Sequence, residues 1–379
     1  MISKPLPRIL LLGGYGNLGK QLCEMLPVHL DAIFLVGGRH LEKAEALIAK
    51  IHSQNSDLPM QAVQIDWQSE NFAETLVECE VSLVVNLAGP FTHQDNVVAR
   101  TCIELGIHYI DVAEGREFVV QFPHLDEKAK ERRVIAITGA GIVTGITSVV
   151  IHHFAKQFGL LVEVDIGVAL GNKVVSGPSS VSSLLHNVGK PFQRLQNGHW
   201  KTVYGWQQNK RHYYGDNLGL RWHANADIPE LILLPKRYPS LKTVLFHLGL
   251  EVTPLHFLLS MMAILRKIHL VGNWDRYFKM VQKICRWFNV WGSDQVAISI
   301  SMNGSSHRYQ PLEINWSCVA EKGDGANLSI LPCLLLIPKI LKGKIEPGAH
   351  ICEELFTIEE MYGKISVWDV YHTLEEKES

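Results

Sequence analysis

A short apolar run, Arg8-Ile-Leu-Leu-Leu12, ends in Gly13-Gly14-Tyr15-Gly16-Asn17-Leu18-Gly19, and an amphipathic stretch from Lys20 to Leu26 follows at once. Strand, glycine turn and helix in that order constrain the fold more than any other stretch, because they open a βαβ unit of the dinucleotide-binding kind. The spacing Gly14-x-Gly16-x-x-Gly19 gives each glycine a task. Gly14 permits the turn, Gly16 lets the backbone approach a pyrophosphate, and Gly19 lets the helix pack closely on the strand. Asn17 and Leu18 begin that helix, whose free N–H groups and positive dipole end suit phosphate oxygens.

The same alternation continues down the first half. Ala32 to Val36 reads as a buried parallel strand ending at Gly37-Gly38-Arg39. An acidic residue at this strand end holds the ribose 2′-hydroxyl of NAD. Arg39 stands there instead, either as a solvated surface charge or as a forked donor to a 2′-phosphate, which favours NADP over NAD. A helix follows over Leu41 to His52, with Ala44, Leu47, Ile48 and Ile51 on one face. A third strand, Met60 to Ile65, leads to Asp66, which either meets the adenine amino group or caps the next helix. Ser82 to Asn86 is a continuous apolar strand buried on both faces, and it ends in Asn86-Leu87-Ala88-Gly89-Pro90-Phe91. A turn of small residues at that strand end lies by the topological switch point, so Asn86, Ala88, Gly89 and Pro90 are candidates to border the nicotinamide ribose. A helix over Asp95 to Leu105, a strand Ile107 to Val112, a helix Asp126 to Arg133 and a strand Val134 to Thr138 complete a doubly wound unit of six strands.

Five segments in their order and spacing resemble the saccharopine dehydrogenase-like family: Gly13 to Gly19, Gly38-Arg39, Val85 to Phe91, His108-Tyr-Ile-Asp111 and Thr138-Gly-Ala-Gly141. The resemblance covers residues 8 to about 150 and returns at Gly323-Asp-Gly325 and Gly343 to Gly348. It implies an NADP-binding Rossmann domain, an oxidoreductase activity and, commonly, a homodimer. Two departures bear on the substrate. The turn after the sixth strand carries Thr144-Gly145 where the family usually has a Pro-Gly pair, and the middle of the chain does not closely resemble a saccharopine-binding domain.

From Leu161 the period changes to two. Val162 to Leu170, Val296 to Met302 and Leu312 to Val319 alternate apolar and polar, the mark of an antiparallel sheet with one solvated face. The fold class expected is α/β: an N-terminal Rossmann doubly wound sheet (1–145), an α+β domain on an open antiparallel sheet (146–322), and a C-terminal segment (323–379) packing back toward the Rossmann domain. Gly171 to Phe192 reads as a Gly-, Ser- and Asn-rich loop, either a surface connection or a substrate loop with Asn172 and Lys190 as contacts. Trp200 to Trp222 is dense in Trp, Tyr, Arg and His, which suits a small-molecule site and a dimer interface equally. Leu255 to Leu265 is strongly apolar, and Trp274 to Trp291 interleaves Arg276, Lys279, Lys283 and Arg286 with aromatics. That pattern suits a peripheral membrane contact over Leu255–Trp291 or buried packing in a dimer.

Hydride chemistry belongs to the cofactor, and the protein must add a proton near the developing anion. Tyr109 and Asp111 sit toward the crevice end of their strand, with His93 and His108 as alternatives, and each is equally open to a structural role. No metal-ligand spacing and no Ser-His-Asp elbow appears; His152-His153 reads as a helix-surface pair. A charge of −2 argues against nucleic acid. Seven cysteines scattered singly read as reduced thiols of a cytoplasmic protein. The expected function is NADP-dependent hydride transfer to or from an imine or carbonyl of a small amino-acid-derived substrate. A lipid enoyl reductase docked on membranes and a non-catalytic NADP sensor are the alternatives.

Overall fold

The computed structural model describes residues 5–55, 57–91, 94–175, 177–214 and 218–378. The chain divides into two compact units, one of Met1–Glu114, Phe118–Gly145 and Ser329–Phe356, the other of Gly115–Glu117, Ile146–Leu328 and Thr357–Ser379.

The first unit carries β1 (Arg8–Leu12), β2 (Ile33–Gly38), β3 (Met60–Gln64), β4 (Leu83–Asn86), β5 (His108–Asp111) and β6 (Ile135–Thr138). They pair in parallel in the order β6-β5-β4-β1-β2-β3. Ile9 to Leu12, Phe34 to Val36 and Leu83 to Val85 are buried throughout, because helices cover both faces of a parallel sheet. The helix Leu41–His52 buries Ala44, Leu47, Ile48 and Ile51, the four residues its period puts on one face. The sheet has seven strands rather than six. Gly348–Ile351 pairs in parallel with β6, placing His350 opposite Ile137, and in chain order it is β15. Strand order reverses beside β1, whose neighbours are β2 and β4. The carboxyl ends of β1 and β4 therefore flank the crevice.

The second unit is built on β7 (Phe158–Leu170), β10 (Lys210–Tyr213), β11 (Leu220–Asn225), β12 (Thr243–Leu250), β13 (Val296–Ser306), β14 (Pro311–Ala320) and β16 (Val370–Glu378). Their order is β10-β11-β12-β7-β13-β14-β16, and a hairpin of β8 (Pro191–Gln196) and β9 (His199–Tyr204) stands apart. The sheet is mixed, not purely antiparallel, since β12 runs parallel to β7 with His247 opposite Gly167. Alternation sorts the two faces. Val164, Ile166, Val168, Ile298, Ile300, Ile314 and Trp316 are buried on one. Asp165, Gly167, Ser299, Ser301, Asn315 and Ser317 lie in register across the other.

Three local readings change. The stretch expected as a loop after Gly171 forms helices Asn172–Val175 and Pro178–Asn187. His152 is buried against Tyr238, its Nδ1 2.6 Å from the hydroxyl, while His153 stays near the surface facing Glu359. The segment after 322 divides between the two units: β15 joins the first sheet and β16 the second. Among the described residues one helix, Asp324–Leu341, is long and apolar enough to cross a membrane. Leu328, Ile330, Leu331, Cys333, Leu336 and Ile337 are fully buried, which makes it a core helix.

Candidate functional site

At the end of β1 the backbone folds into a cradle. Gly13 takes a left-handed φ of +82°, and its N–H donates to Gly37 O at 2.9 Å. The turn residue is therefore Gly13, one place before the glycine its spacing suggests. Gly14 instead packs under the turn, where an added Cβ would lie 2.9 Å from Leu11 O. Gly16 then caps the helix Asn17–Met25 with extended backbone and no side-chain hydrogen bond, and no acidic residue stands in the first turn. The N–H groups of Asn17 and Leu18 thus keep their donor capacity for an anion. Gly19 is buried where a Cβ would strike Gly14 O and, at 2.5 Å, Gly13 O, whereas a Cβ on exposed Gly16 would meet only Gly13 O at 3.0 Å. One glycine is forced by the fold; the other leaves open space above the turn.

Tyr15 ties this cradle to the end of β2. Its hydroxyl accepts from His40 N at 3.1 Å, and Gly38 is bare because a Cβ there would strike the Tyr15 ring. Arg39 lies between these two contacts, exposed, and gives only its carbonyl to a hydrogen bond from Gln64 Nε2 at 3.4 Å. Its guanidinium is free among the described residues to meet a phosphate. Asp66, just past β3, accepts from Gln68 N at 3.1 Å and so shapes a turn. Across the crevice, Asn86 is buried at the end of β4. Its Oδ1 accepts from Ala88 N and its Nδ2 donates to Tyr109 Oη, both at 3.1 Å. Gln94 Nε2 donates to Ala88 O at 2.6 Å, and an added Cβ on Gly13 would sit 3.1 Å from Ala88 N. The cradle and the turn Ala88-Gly89-Pro90 are thereby adjacent.

The residues expected to carry the proton take other tasks. Tyr109 is fully buried and stacked on Phe122 at 6.0 Å, and burial holds its hydroxyl well above the ordinary range. Asp111 is also buried. Its Oδ1 accepts from Ala113 N, Thr138 Oγ1 and Gly139 N at 2.9 Å each, joining the turns that follow β5 and β6. Burial pushes its carboxyl up to about 6, with those donated hydrogen bonds pulling the other way. His108 sits at the opposite end of β5 from Asp111, where its Nδ1 accepts from Ile135 N at 3.0 Å. His93 lies outside the described residues. Asn172 is a buried staple: its Nδ2 donates to Cys285 O at 3.0 Å and to Asn289 Oδ1 at 2.6 Å. Lys190 Nζ lies 3.1 Å from His186 Nε2, one helical turn back.

A polar cluster that sequence reasoning missed stands on the open face of the second sheet. Asp165 accepts from His247 Nδ1 at 3.0 Å and from Lys210 Nζ at 2.6 Å. His223 Nε2 is 3.2 Å from Tyr214 Oη, and the His212 ring lies 5.7 Å from the His223 ring. Buried Arg194 donates to Asn225 Oδ1 at 2.8 Å and to Gln208 Oε1 at 2.9 Å, both neutral partners. Burial pushes the Asp165 carboxyl up, but the His247 hydrogen bond and the Lys210 charge outweigh it and hold it below the usual value. Burial, then the neighbouring cations, lowers His223 to about 3, and burial lowers His212 and His247 too. The histidines are therefore neutral near pH 7, and Lys210 is the half-exposed basic side chain among them. One signal was available. Gly167 and Gly249 interrupt two strands because a Cβ on either would lie within 3.2 Å of the His223 ring.

The cradle, the reversal of strand order and the free guanidinium define a dinucleotide-binding domain of the doubly wound class. Residues 9–157 match the model of the family described as the saccharopine dehydrogenase NADP binding domain, and that match supports NADP as the dinucleotide. A curated relative, carboxyaminopropylagmatine dehydrogenase of a Synechocystis strain, is 27% identical over 155 residues. Those residues are 38% of this chain, and the match spans only 37% of the relative. A solved saccharopine dehydrogenase (L-Glu forming) from Saccharomyces cerevisiae superposes with a TM-score of 0.70 over 98% of this chain and all of that one, at 14% identity. That likeness establishes a shared fold.

Proposed function

We propose that the chain is an NADP-dependent oxidoreductase that moves a hydride to or from an imine or carbonyl carbon of an amino-acid-derived substrate. The observation that carries this reading is the uncapped helix start at Gly16, with Arg39 held beside it by Tyr15. Gly16, Asn17 and Leu18 would hold the pyrophosphate, Arg39 the 2′-phosphate, and the Asn86–Pro90 turn the nicotinamide ribose. NADP bound there supplies or accepts the hydride. That the curated relative is a carboxyaminopropylagmatine dehydrogenase supports the substrate class.

Within the second unit, the Lys210 ammonium donates to the Asp165 carboxylate. Asp165 keeps the ammonium in place, and His247, hydrogen-bonded to the same carboxylate, fixes the orientation of Asp165. Arg194 of the same unit donates only to amide oxygens, a setting that suits a carboxylate partner. The test is NADPH oxidation by the full chain across pairs of an amino acid or amine with a 2-oxo acid, and across enoyl thioesters. Turnover with the amine and oxo-acid pairs supports the proposal. Turnover with enoyl thioesters alone overturns it, as does tight NADPH binding without any turnover.

A further inference from the structure

The second unit carries an outward face that a protein in plain water has no reason to keep. Helix Thr253–Lys267 turns Leu255, Leu259, Met262 and Ala263 into the core. Its opposite side shows Phe257, Met261, Ile264 and, just beyond its end, Ile268, at spacings of four, three and four. That spacing makes one continuous stripe along the helix, with no charged residue before Arg266 in its last turn. Solvated helix faces are ordinarily polar, and scattered apolar residues do not fall in such a line.

A second helix covers the same core. Phe278–Trp287 buries only Val281 and Cys285, which pack into the cluster that holds Leu255 and Leu259. Trp274 Nε1 donates to Met262 O at 3.2 Å and ties the connecting segment down. The outward side of this helix and the turn after it expose Met280, Trp287 and Trp291, the two tryptophans 67% and 66% accessible with ring centroids 6.2 Å apart. Between them stand Arg276, Lys279, Lys283 and Arg286, none ion-paired among the described residues. Residues 253–291 hold six Lys and Arg against one Asp, a net charge of +5 on a chain whose total is −2.

We propose that this face docks on an anionic phospholipid bilayer. Two features select that occupant. Aromatic and long apolar side chains interleaved with unpaired basic ones match the layered chemistry of a bilayer surface, apolar below and anionic at the headgroups. A second copy of the chain is disfavoured, because a two-fold interface through this patch would set two +5 surfaces against each other. The helix of 15 residues is too short to span, so it lies in the interface plane.

The full chain is floated with vesicles of phosphatidylcholine alone and with vesicles that also contain phosphatidylglycerol. Binding to the anionic vesicles only, weakened by added salt and accompanied by a blue shift of tryptophan emission, is the expected result. Lys279→Glu with Lys283→Glu is expected to weaken binding by at least about thirtyfold, at about fivefold for each basic residue lost from the surface. Met261→Ser with Ile264→Ser is expected to weaken it even at low salt. All four positions are exposed, and retained NADPH affinity confirms that each variant is folded. Equal partition to neutral and anionic vesicles, or none to either, overturns the proposal. So does a dimer in sedimentation that Met261→Ser with Ile264→Ser converts to monomer, which would make the face a contact between copies.

Discussion

Gly16→Val separates the fold of the cradle from its use. Gly16 has φ −72° and ψ 177°, extended backbone open to any residue. Its added Cβ would have one neighbour, Gly13 O at 3.0 Å, so a shift of a few tenths of an ångström relieves it. The stability cost is that of an exposed substitution, about 0.5 kcal/mol. Binding is different, because the isopropyl group fills the space where the pyrophosphate meets the helix start. Losing two amide hydrogen bonds to a charged group, at about 1.5–3 kcal/mol each, weakens NADPH by about 10²- to 10⁴-fold. Gly19→Ala is the contrast: its Cβ would strike two backbone carbonyls, Gly14 O and Gly13 O. That overpacking costs about 1–3 kcal/mol and a few degrees of melting temperature. Thermal unfolding without cofactor and a fluorescence titration with NADPH measure both quantities. If Gly16→Val melts like the native chain and still binds NADPH within about threefold, no phosphate rests on Gly16, and the argument from the uncapped helix fails.

Arg39→Ala should weaken NADPH by about 1.5–3 kcal/mol and NADH hardly at all; equal loss for both would mean that Arg39 does not read the 2′-phosphate. Asp111 titrates at about 6 in the fold against an ordinary 3.8, because burial disfavours its charge. The folded state then holds a proton that the unfolded chain has released, so its contribution to stability falls as pH rises from about 4 to 6, by up to about 3 kcal/mol. Asp111→Asn keeps an oxygen to accept the same three donors and should lack this decline in urea titrations across that range; parallel profiles for both proteins would contradict it.

The first unit was legible because its signals are local. Each strand is a buried run closed by glycine or a small turn, and each helix announces its face over a dozen residues. The edge strand Gly348–Ile351 escaped because its partner Ile135–Thr138 is some two hundred residues away, and four residues carry no periodicity of their own. The parallel pairing of β12 with β7 was hidden for the same reason. The glycine turn at the end of β1 was legible, apart from the exchange of roles between Gly13 and Gly14. The burial of Tyr109 and Asp111 was not. Strand position placed Tyr109 and Asp111 near the crevice, but position says nothing of burial, and both are consumed in joining Asn86, Thr138 and Gly139. The cluster of Asp165, Lys210, His223 and His247 comes from four strands that meet only in the folded sheet.

The central claim is that a hydride passes between NADP and a carbon bonded to nitrogen or oxygen in an amino-acid-derived molecule. Incubating the full chain with NADPH deuterated at the transferable position, a 2-oxo acid and an amine, then analysing the product by mass spectrometry and NMR, tests it most directly. The account predicts one deuterium on the carbon that was the carbonyl carbon and is now bonded to nitrogen or to a hydroxyl. Deuterium on a carbon of a reduced carbon–carbon double bond, or label left wholly in the cofactor across the substrate panel, would contradict it.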